Sequence, residues 1–64
     1  MFKATIYQND QIVAETVINS DDSFHCLAWA HRMGWDVMES ASTSAKLTKN
    51  SGEDATLHFE YTGE

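Results

Sequence analysis

The chain begins with two stretches in which apolar residues recur with the period of a β-strand. In residues 2–8 every second side chain is apolar, as a half-buried strand requires. The pair Asn9-Asp10 tolerates turn conformations, and a β-branched run over residues 11–18 follows it. This order predicts a β-hairpin. Because both faces of the second strand are partly apolar, the pattern leaves its inward face undecided.

A helix is predicted over residues 20–33. Ser20 supplies a capping side chain, and the acidic residues that follow it favour the positive end of the helix dipole. On a helical wheel Cys26 and Ala30 fall on one face, which should cover the sheet. Gly34 stands where a left-handed cap needs a residue without a Cβ, so the helix should end before it.

The remainder of the chain predicts two further strands. Residues 35–49 suit one long or bulged strand with a kink near Glu39. A turn signal at residues 50–52 precedes the clear alternation of residues 55–62. We therefore predict one α+β domain over residues 1–64 with the order ββαββ. In it, one helix packs on a four-stranded antiparallel sheet of strand order 2-1-3-4.

Composition limits where this domain works. Sixty-four residues support one core, and the 42% hydrophobic content is sufficient to form it. The single cysteine, Cys26, cannot form an intramolecular disulfide, which favours a reducing cytoplasm. No apolar run approaches the roughly 18 residues of a membrane span, and the start does not resemble a signal peptide. We expect the mature chain to begin at Met1.

The charge balance points to the kind of partner. Ten acidic and four basic side chains give a formal net charge of −6. This charge repels phosphate, so it argues against direct binding to nucleic acid or an anionic membrane and favours a partner with a basic surface. The same charge is also typical of a small domain that is simply kept soluble.

The sequence lacks the patterns of most active sites and cofactor sites. It contains no Gly-rich phosphate loop, no cysteine pair and no zinc-protease histidine spacing. His25, Cys26 and His31 face different directions on the helix and cannot jointly bind one metal ion. We therefore predict a protein that is not an enzyme and needs no cofactor. A small enzyme or metal sensor that uses His25, Cys26 or His58 is a third interpretation.

Aromatic and acidic side chains that the core does not need are the candidates for partner contact. The apolar candidates are Tyr7, Trp29 and Met33, although Trp29 could equally cap the edge of the core. The acidic candidates are Glu15, Asp36, Glu39, Glu53, Asp54 and Glu60. A ladder of carboxylates across the sheet would imitate the phosphates of nucleic acid and occupy a basic channel. The same acids would also protect sheet edges against aggregation.

Four segments carry a resemblance to a known class of protein: the opening FKATIY, the strand end VINS, the acidic helix start DDS and the helix end RMGWDV. Together they resemble the strand-hairpin-helix-strand layout of small podovirus inhibitors of bacterial RNA polymerase. The likeness covers roughly the first 48 residues, and the last hairpin, residues 45–61, departs from it. The resemblance implies inhibition by lodging in a positively charged cleft, as in small anti-CRISPR proteins.

The leading hypothesis from the sequence is a phage or mobile-element protein that blocks a host nucleic-acid-handling complex. Its partner would be a host protein or ribonucleoprotein with a basic surface. The alternative is a structural or regulatory homodimer, in which the uncovered sheet face, including Val13 and Val17, packs against its twin.

Overall fold

The computed structural model describes residues 1–62, so the last two residues of the predicted domain lie outside the described residues. Within it, the elements in chain order are β1 (Phe2–Gln8), β2 (Gln11–Ile18), α1 (Phe24–Arg32), β3 (Asp36–Ser40), β4 (Ser44–Thr48) and β5 (Asp54–Tyr61). The strands form one sheet of order β2-β1-β5-β4-β3 in which all neighbours are antiparallel. The predicted α+β class is confirmed.

The predicted four-stranded sheet of order 2-1-3-4 is wrong. The expected third strand forms two strands, because the chain reverses at residues 41–43, where the Ala41 N–H donates to the Ser44 carbonyl at 2.7 Å. The kink expected near Glu39 is present as a register shift between Val37 and Glu39. The additional hairpin moves β3 to one edge of the sheet and places β5 beside β1.

The first hairpin forms as predicted. Asn9 and Asp10 connect β1 to β2 with φ angles of 54° and 63°. A two-residue turn with two positive φ angles matches the right-handed twist of the flanking strands, and Asn and Asp adopt this conformation more readily than most residues. The register between β1 and β2 shifts between Ile6 and Tyr7, because β2 carries an extra residue, Val13, at that point.

The helix begins at Phe24, later than Ser20, the predicted cap. The Ser20 Oγ accepts the Asp22 N–H at 3.1 Å, and the Asp22 Oδ1 accepts the Phe24 N–H at 2.9 Å. These two local turns hold the segment before the helix, and the N-cap residue, Ser23, makes no side-chain capping bond. The Ser20 and Asp22 side chains thus accept hydrogen bonds from backbone N–H groups, but neither residue is the N-cap of the helix.

Helix α1 covers one face of the sheet through Cys26 and Ala30, which are fully buried. The helix ends as predicted: Gly34 has a φ of 97°, and the Trp35 N–H donates to the Ala30 carbonyl at 3.1 Å. The buried core between helix and sheet consists of Ala4, Ile6, Cys26, Ala30, Trp35, Ala45, Leu47, Ala55, Leu57 and Phe59. All of its strand residues point to the covered face, so the opposite face is open.

Candidate functional site

The open face of the sheet carries polar side chains in rows that cross the strands. Residues paired across antiparallel strands project from the same face. Lys3 of β1 lies between Val17 of β2 and Glu60 of β5. In the next row, Thr5 lies between Glu15 and His58. Because Ala4 and Ile6 point into the core, these rows belong to the open face.

The centre of this face is polar and closely covered by its own side chains. Thr5 is buried although no helix covers it, because the neighbouring side chains enclose it. Ser44 of β4 pairs with His58 in the same row. A serine acts as a nucleophile when a neighbouring histidine accepts a hydrogen bond from its hydroxyl group. Within residues 1–62 no such bond joins these two side chains.

Two of the six predicted acidic contacts are paired with lysines. The Glu15 Oε2 lies 3.9 Å from the Lys3 Nζ, and the Glu39 Oε2 lies 3.9 Å from the Lys46 Nζ. Glu60 also faces Lys3 across the sheet. The open face is therefore a mixture of charges, and the carboxylate ladder expected from the sequence is interrupted by lysines.

The other three predicted acids gather at one end of the sheet. Asp36 of β3 and Asp54 of β5 both pair with Thr48 of β4, so they lie two strands apart. At the usual strand spacing their Cα atoms are about 10 Å apart. Glu53 precedes Asp54 in the chain, and the β1–β2 turn brings Asp10 to the same end. We call these four residues, Asp10, Asp36, Glu53 and Asp54, the acidic end.

Hydrogen bonds hold one carboxylate of the acidic end in its charged form. The Gln8 Nε2 donates to the Glu53 Oε1 at 3.2 Å, and the Ser51 Oγ donates to the Glu53 Oε2 at 3.0 Å. Both bonds stabilise the carboxylate, so they lower the pKa of Glu53, with the Gln8 bond as the larger cause. Lys49 also lies at this end of the sheet, where its ammonium sits 4.2 Å above the Trp35 ring.

Asp10 was not among the acidic contacts predicted from the sequence. The Asn9-Asp10 turn was recognised, but the sequence did not place it beside the last turn of the chain. The antiparallel pairing of β1 with β5 brings these two turns together. A shallow groove of about 560 Å³, lined in part by Met38, Lys46 and Asp54, adjoins the acidic end on the open face.

The predicted aromatic and methionine contacts do not form one cluster. Tyr7 is exposed on the open face, between Ile12 and Thr56. Trp29 is half-buried and packs against the core, as the core-edge alternative expects. Met33 is exposed at the end of helix α1. Only Tyr7 therefore shares a face with the acidic rows.

Exposed apolar side chains lie on β2, where the homodimer alternative already named Val13 and Val17 but not Ile12. Ile12, Val13 and Val17 are 57%, 49% and 58% exposed. The sequence contained a signal for them, because β2 is apolar on both faces while only one face can reach the core. Ala14 and Ile18 are the residues of this strand that pack against the core.

The cysteine and histidines of the third interpretation lie apart. Cys26 is buried under the helix as a free thiol, and burial raises its pKa, which opposes formation of the reactive thiolate. His25 is exposed on the helix, and His58 lies on the open face. Within residues 1–62, no group of three His, Cys, Asp or Glu side chains is placed to hold a metal ion. In the same range no helix is long and apolar enough to cross a membrane.

Comparison with known proteins gives no relative: no family model matches the chain, and no curated protein or solved structure is significantly similar to it. The resemblance to phage inhibitors therefore stays a prediction from the sequence. The function has to be argued from the charges and surfaces of the chain itself.

Proposed function

We propose that this chain is a small acidic inhibitor of phage or mobile-element type that blocks a host nucleic-acid-handling complex by occupying its basic surface. The host complex would be RNA polymerase or a CRISPR effector complex. The observation that supports this proposal best is the acidic end, where Asp10, Asp36 and the adjacent Glu53 and Asp54 come from three separate parts of the chain.

The acidic end suits a basic channel because its charge is concentrated. The chain carries a net charge of −6, while Lys3 and Lys46 offset part of the acidity of the open face. A basic cleft built to hold nucleic acid focuses its field outward and attracts such an end over a long range. Charge complementarity of this kind speeds association and makes binding sensitive to salt.

The proposed inhibitor works without catalysis. Once the acidic end enters the cleft, the rest of the domain, with its exposed Tyr7, would obstruct the path of nucleic acid. Inhibition would therefore be competitive with nucleic acid. Substrate would not be turned over.

The alternative homodimer receives less support from the geometry. Packing two open faces together would bury the Lys3–Glu15 and Lys46–Glu39 pairs, and removing paired charges from water is costly. The exposed apolar side chains of β2 lie at one edge of the sheet and not at the centre of its face. Sedimentation at high protein concentration distinguishes the two functions, since the inhibitor is expected to be a monomer.

The test measures binding of the purified chain to purified bacterial RNA polymerase and to a purified CRISPR effector complex. The double variant Asp36→Asn with Asp54→Asn removes two charges from the acidic end. We expect it to weaken binding about tenfold at low salt, at roughly 0.7 kcal/mol per charge. The matched control, Glu39→Gln with Glu60→Gln, removes the same charge from the part of the open face where lysines lie beside the acids.

Each outcome has a definite meaning. Binding of the wild-type chain that weakens with salt, and that the acidic-end variant loses more than its control, supports the proposal. If the wild-type chain binds neither complex at low salt, the proposed function is wrong. If it binds but both double variants lose the same affinity, net charge alone is responsible and the acidic end has no special part.

A further inference from the structure

Strand β2 forms one edge of the sheet and pairs only with β1. An edge strand leaves every second N–H and C=O group without a partner in the sheet, and these groups can pair with an added strand. At eight residues, β2 is as long as any strand in the sheet. Its pairing with β1 skips Val13, so the longest regular part of this edge runs from Ala14 to Ile18.

This edge has only part of the usual protection. Natural edge strands are kept from pairing by lysines, prolines, bulges or short length, and of these β2 has only a bulge, at Val13. Residues 11–18 contain no lysine and no proline, and their one charged residue, Glu15, lies 3.9 Å from Lys3. Val13 and Val17 flank Glu15 along the strand, and both are about half exposed. An added strand would cover these valines and bury apolar surface.

The charges around β2 indicate what kind of strand fits. Asp10 stands before the strand, Glu15 at its middle, and Asp21 and Asp22 beyond its end. These acids favour an added strand with basic residues.

A second copy of the chain is a poor match for this edge. In an antiparallel pairing of two β2 strands, Asp10 of one copy would approach Asp21 and Asp22 of the other. A register centred on Glu15 would set two carboxylates directly opposite each other.

We propose that β2 is a docking edge for an extended segment of the partner protein that carries apolar residues beside the valines and basic residues beside Glu15 and at both ends. The segment adds a sixth strand to the sheet. This inference rests on the proposed function, since it specifies how a partner with a basic surface is held. The backbone groups of β2 supply main-chain hydrogen bonds, while the acids select for positive charge.

The probe is a synthetic acetylated peptide amide, Lys-Val-Thr-Lys-Thr-Val-Lys. In an extended conformation its two valines and central lysine share one face. The central lysine and one valine therefore match Glu15 and Val17 in spacing, and the other valine falls beside the bulge at Val13. One control peptide has the same side chains on a fully N-methylated backbone, which retains the charge but cannot donate main-chain hydrogen bonds. A second control replaces each lysine with glutamate.

Binding is followed by NMR titration at low salt together with amide hydrogen exchange. We expect the lysine peptide to bind and to slow exchange in β2, and both control peptides to bind at least tenfold more weakly. The variant Val17→Lys should weaken peptide binding about tenfold or more, because its positive charge repels the lysines of the peptide and because it removes apolar surface from the edge. Met38→Lys is the matched control: it makes the same charge change at an exposed residue of β3, the other edge strand, and should leave binding unchanged.

Several results would overturn the inference. Failure of the lysine peptide to bind would exclude this docking edge. Equal binding by the N-methylated peptide would mean that charge alone attracts it. Protection of β2 that rises with protein concentration, together with a dimer in sedimentation, would identify a second copy as the occupant.

The inference and the proposed function can fail separately. If the wild-type chain binds RNA polymerase or a CRISPR effector complex but not the peptide, only the docking edge is wrong. If it binds the peptide at β2 but neither complex, the proposed function is wrong and the edge serves another partner of the same chemistry.

Discussion

The two edges of the sheet differ in length, charge and anchoring. Strand β2 has eight residues with three exposed apolar side chains, whereas β3 has five residues, and each strand carries one bulge. Asp36 and Glu39 give β3 charge at its start and beyond its middle. Short length and charge both keep an edge from pairing with other chains. Strand β3 is thus better protected from strand addition than β2.

The two edges also differ in how firmly the core holds them. On the β3 side, the buried Trp35 leads into the strand, and the partly buried Val37 of β3 pairs with the buried Leu47 of β4. Strand β2 has no fully buried residue and packs against the core through the partly buried Ala14 and Ile18. An edge that must accept a partner is expected to be held more loosely, since binding segments are drawn from the less stable parts of a domain.

The largest expected effect tests this difference in anchoring. Leu47→Ala should lower the free energy of unfolding by about 2–5 kcal/mol, because it leaves a cavity in the core beside β3. Ile18→Ala should cost less, about 1–2 kcal/mol, because its side chain is only partly buried in the wild-type chain. Urea unfolding followed by tryptophan fluorescence measures both values.

Equal losses for the two variants would contradict the comparison, since β2 would then be anchored as firmly as the β3 side. A domain of this size has a small stability margin, so Leu47→Ala could leave too little folded protein to measure. Leu47→Val is then the informative variant, with an expected loss of about 1 kcal/mol.

The turns that lead into the two edges give the next prediction. Gly34 precedes β3 with a φ of 97°, so Gly34→Ala should destabilise the fold by about 1–2 kcal/mol. A Cβ at this position would meet only the Lys49 Cε at 4.0 Å, so the cost comes from the backbone and not from a clash.

Asp10 precedes β2 with a φ of 63°, and Asp10→Gly should act in the opposite direction. Relief of about 1–2 kcal/mol of backbone strain is partly offset by about 0.4–1 kcal/mol of added unfolded-state entropy. We expect a net gain of roughly 0.5 kcal/mol, which thermal unfolding measures. A loss of stability in Asp10→Gly would show that this turn gains more from its aspartate than from backbone freedom.

The sequence predicts those parts of the fold that depend on local pattern. The hairpin at Asn9-Asp10, the helix end before Gly34 and the alternation of the last strand are all present. The split of the third strand was missed because inward residues keep odd numbers on both sides of the turn, with Val37 before it and Ala45 after it. The polar run around residues 40–44 was the available signal for that turn.

The strand order and the acidic end could not be predicted, because both depend on contacts between distant parts of the chain. Strand β5 takes the centre of the sheet because it buries Ala55, Leu57 and Phe59 between two neighbours. Three of the six predicted acids then meet at one end of the sheet. Lysines that the sequence analysis did not consider pair with Glu15 and Glu39 on the open face.

The smallest expected effect tests whether the acidic end couples the two halves of the sheet. The Gln8–Glu53 hydrogen bond joins the β1–β2 hairpin to the β4–β5 turn, which lies on the β3 side of the sheet. The pKa of Glu53 is lowered in the fold from an ordinary value of 4.5. Its contribution to stability is therefore complete above pH 4.5 and is lost as the pH falls through the lowered folded pKa.

Glu53→Gln removes this contribution, so the difference in unfolding free energy between wild type and variant should be largest near neutral pH and shrink below about pH 4.5. The effect should be small, because the carboxylate is exposed to solvent. Gln8→Ala should reproduce the same pH dependence, and the double variant should add little to it. Gln8→Ala removes the donor of this hydrogen bond, and Glu53→Gln removes the charge of its acceptor, so both changes abolish the same charge-assisted interaction. Urea unfolding from about pH 3 to pH 7 gives the curves. A difference that stays constant over this range would mean that the bond does not couple the two edges, and that the β2 hairpin can move toward a partner independently of the β3 side.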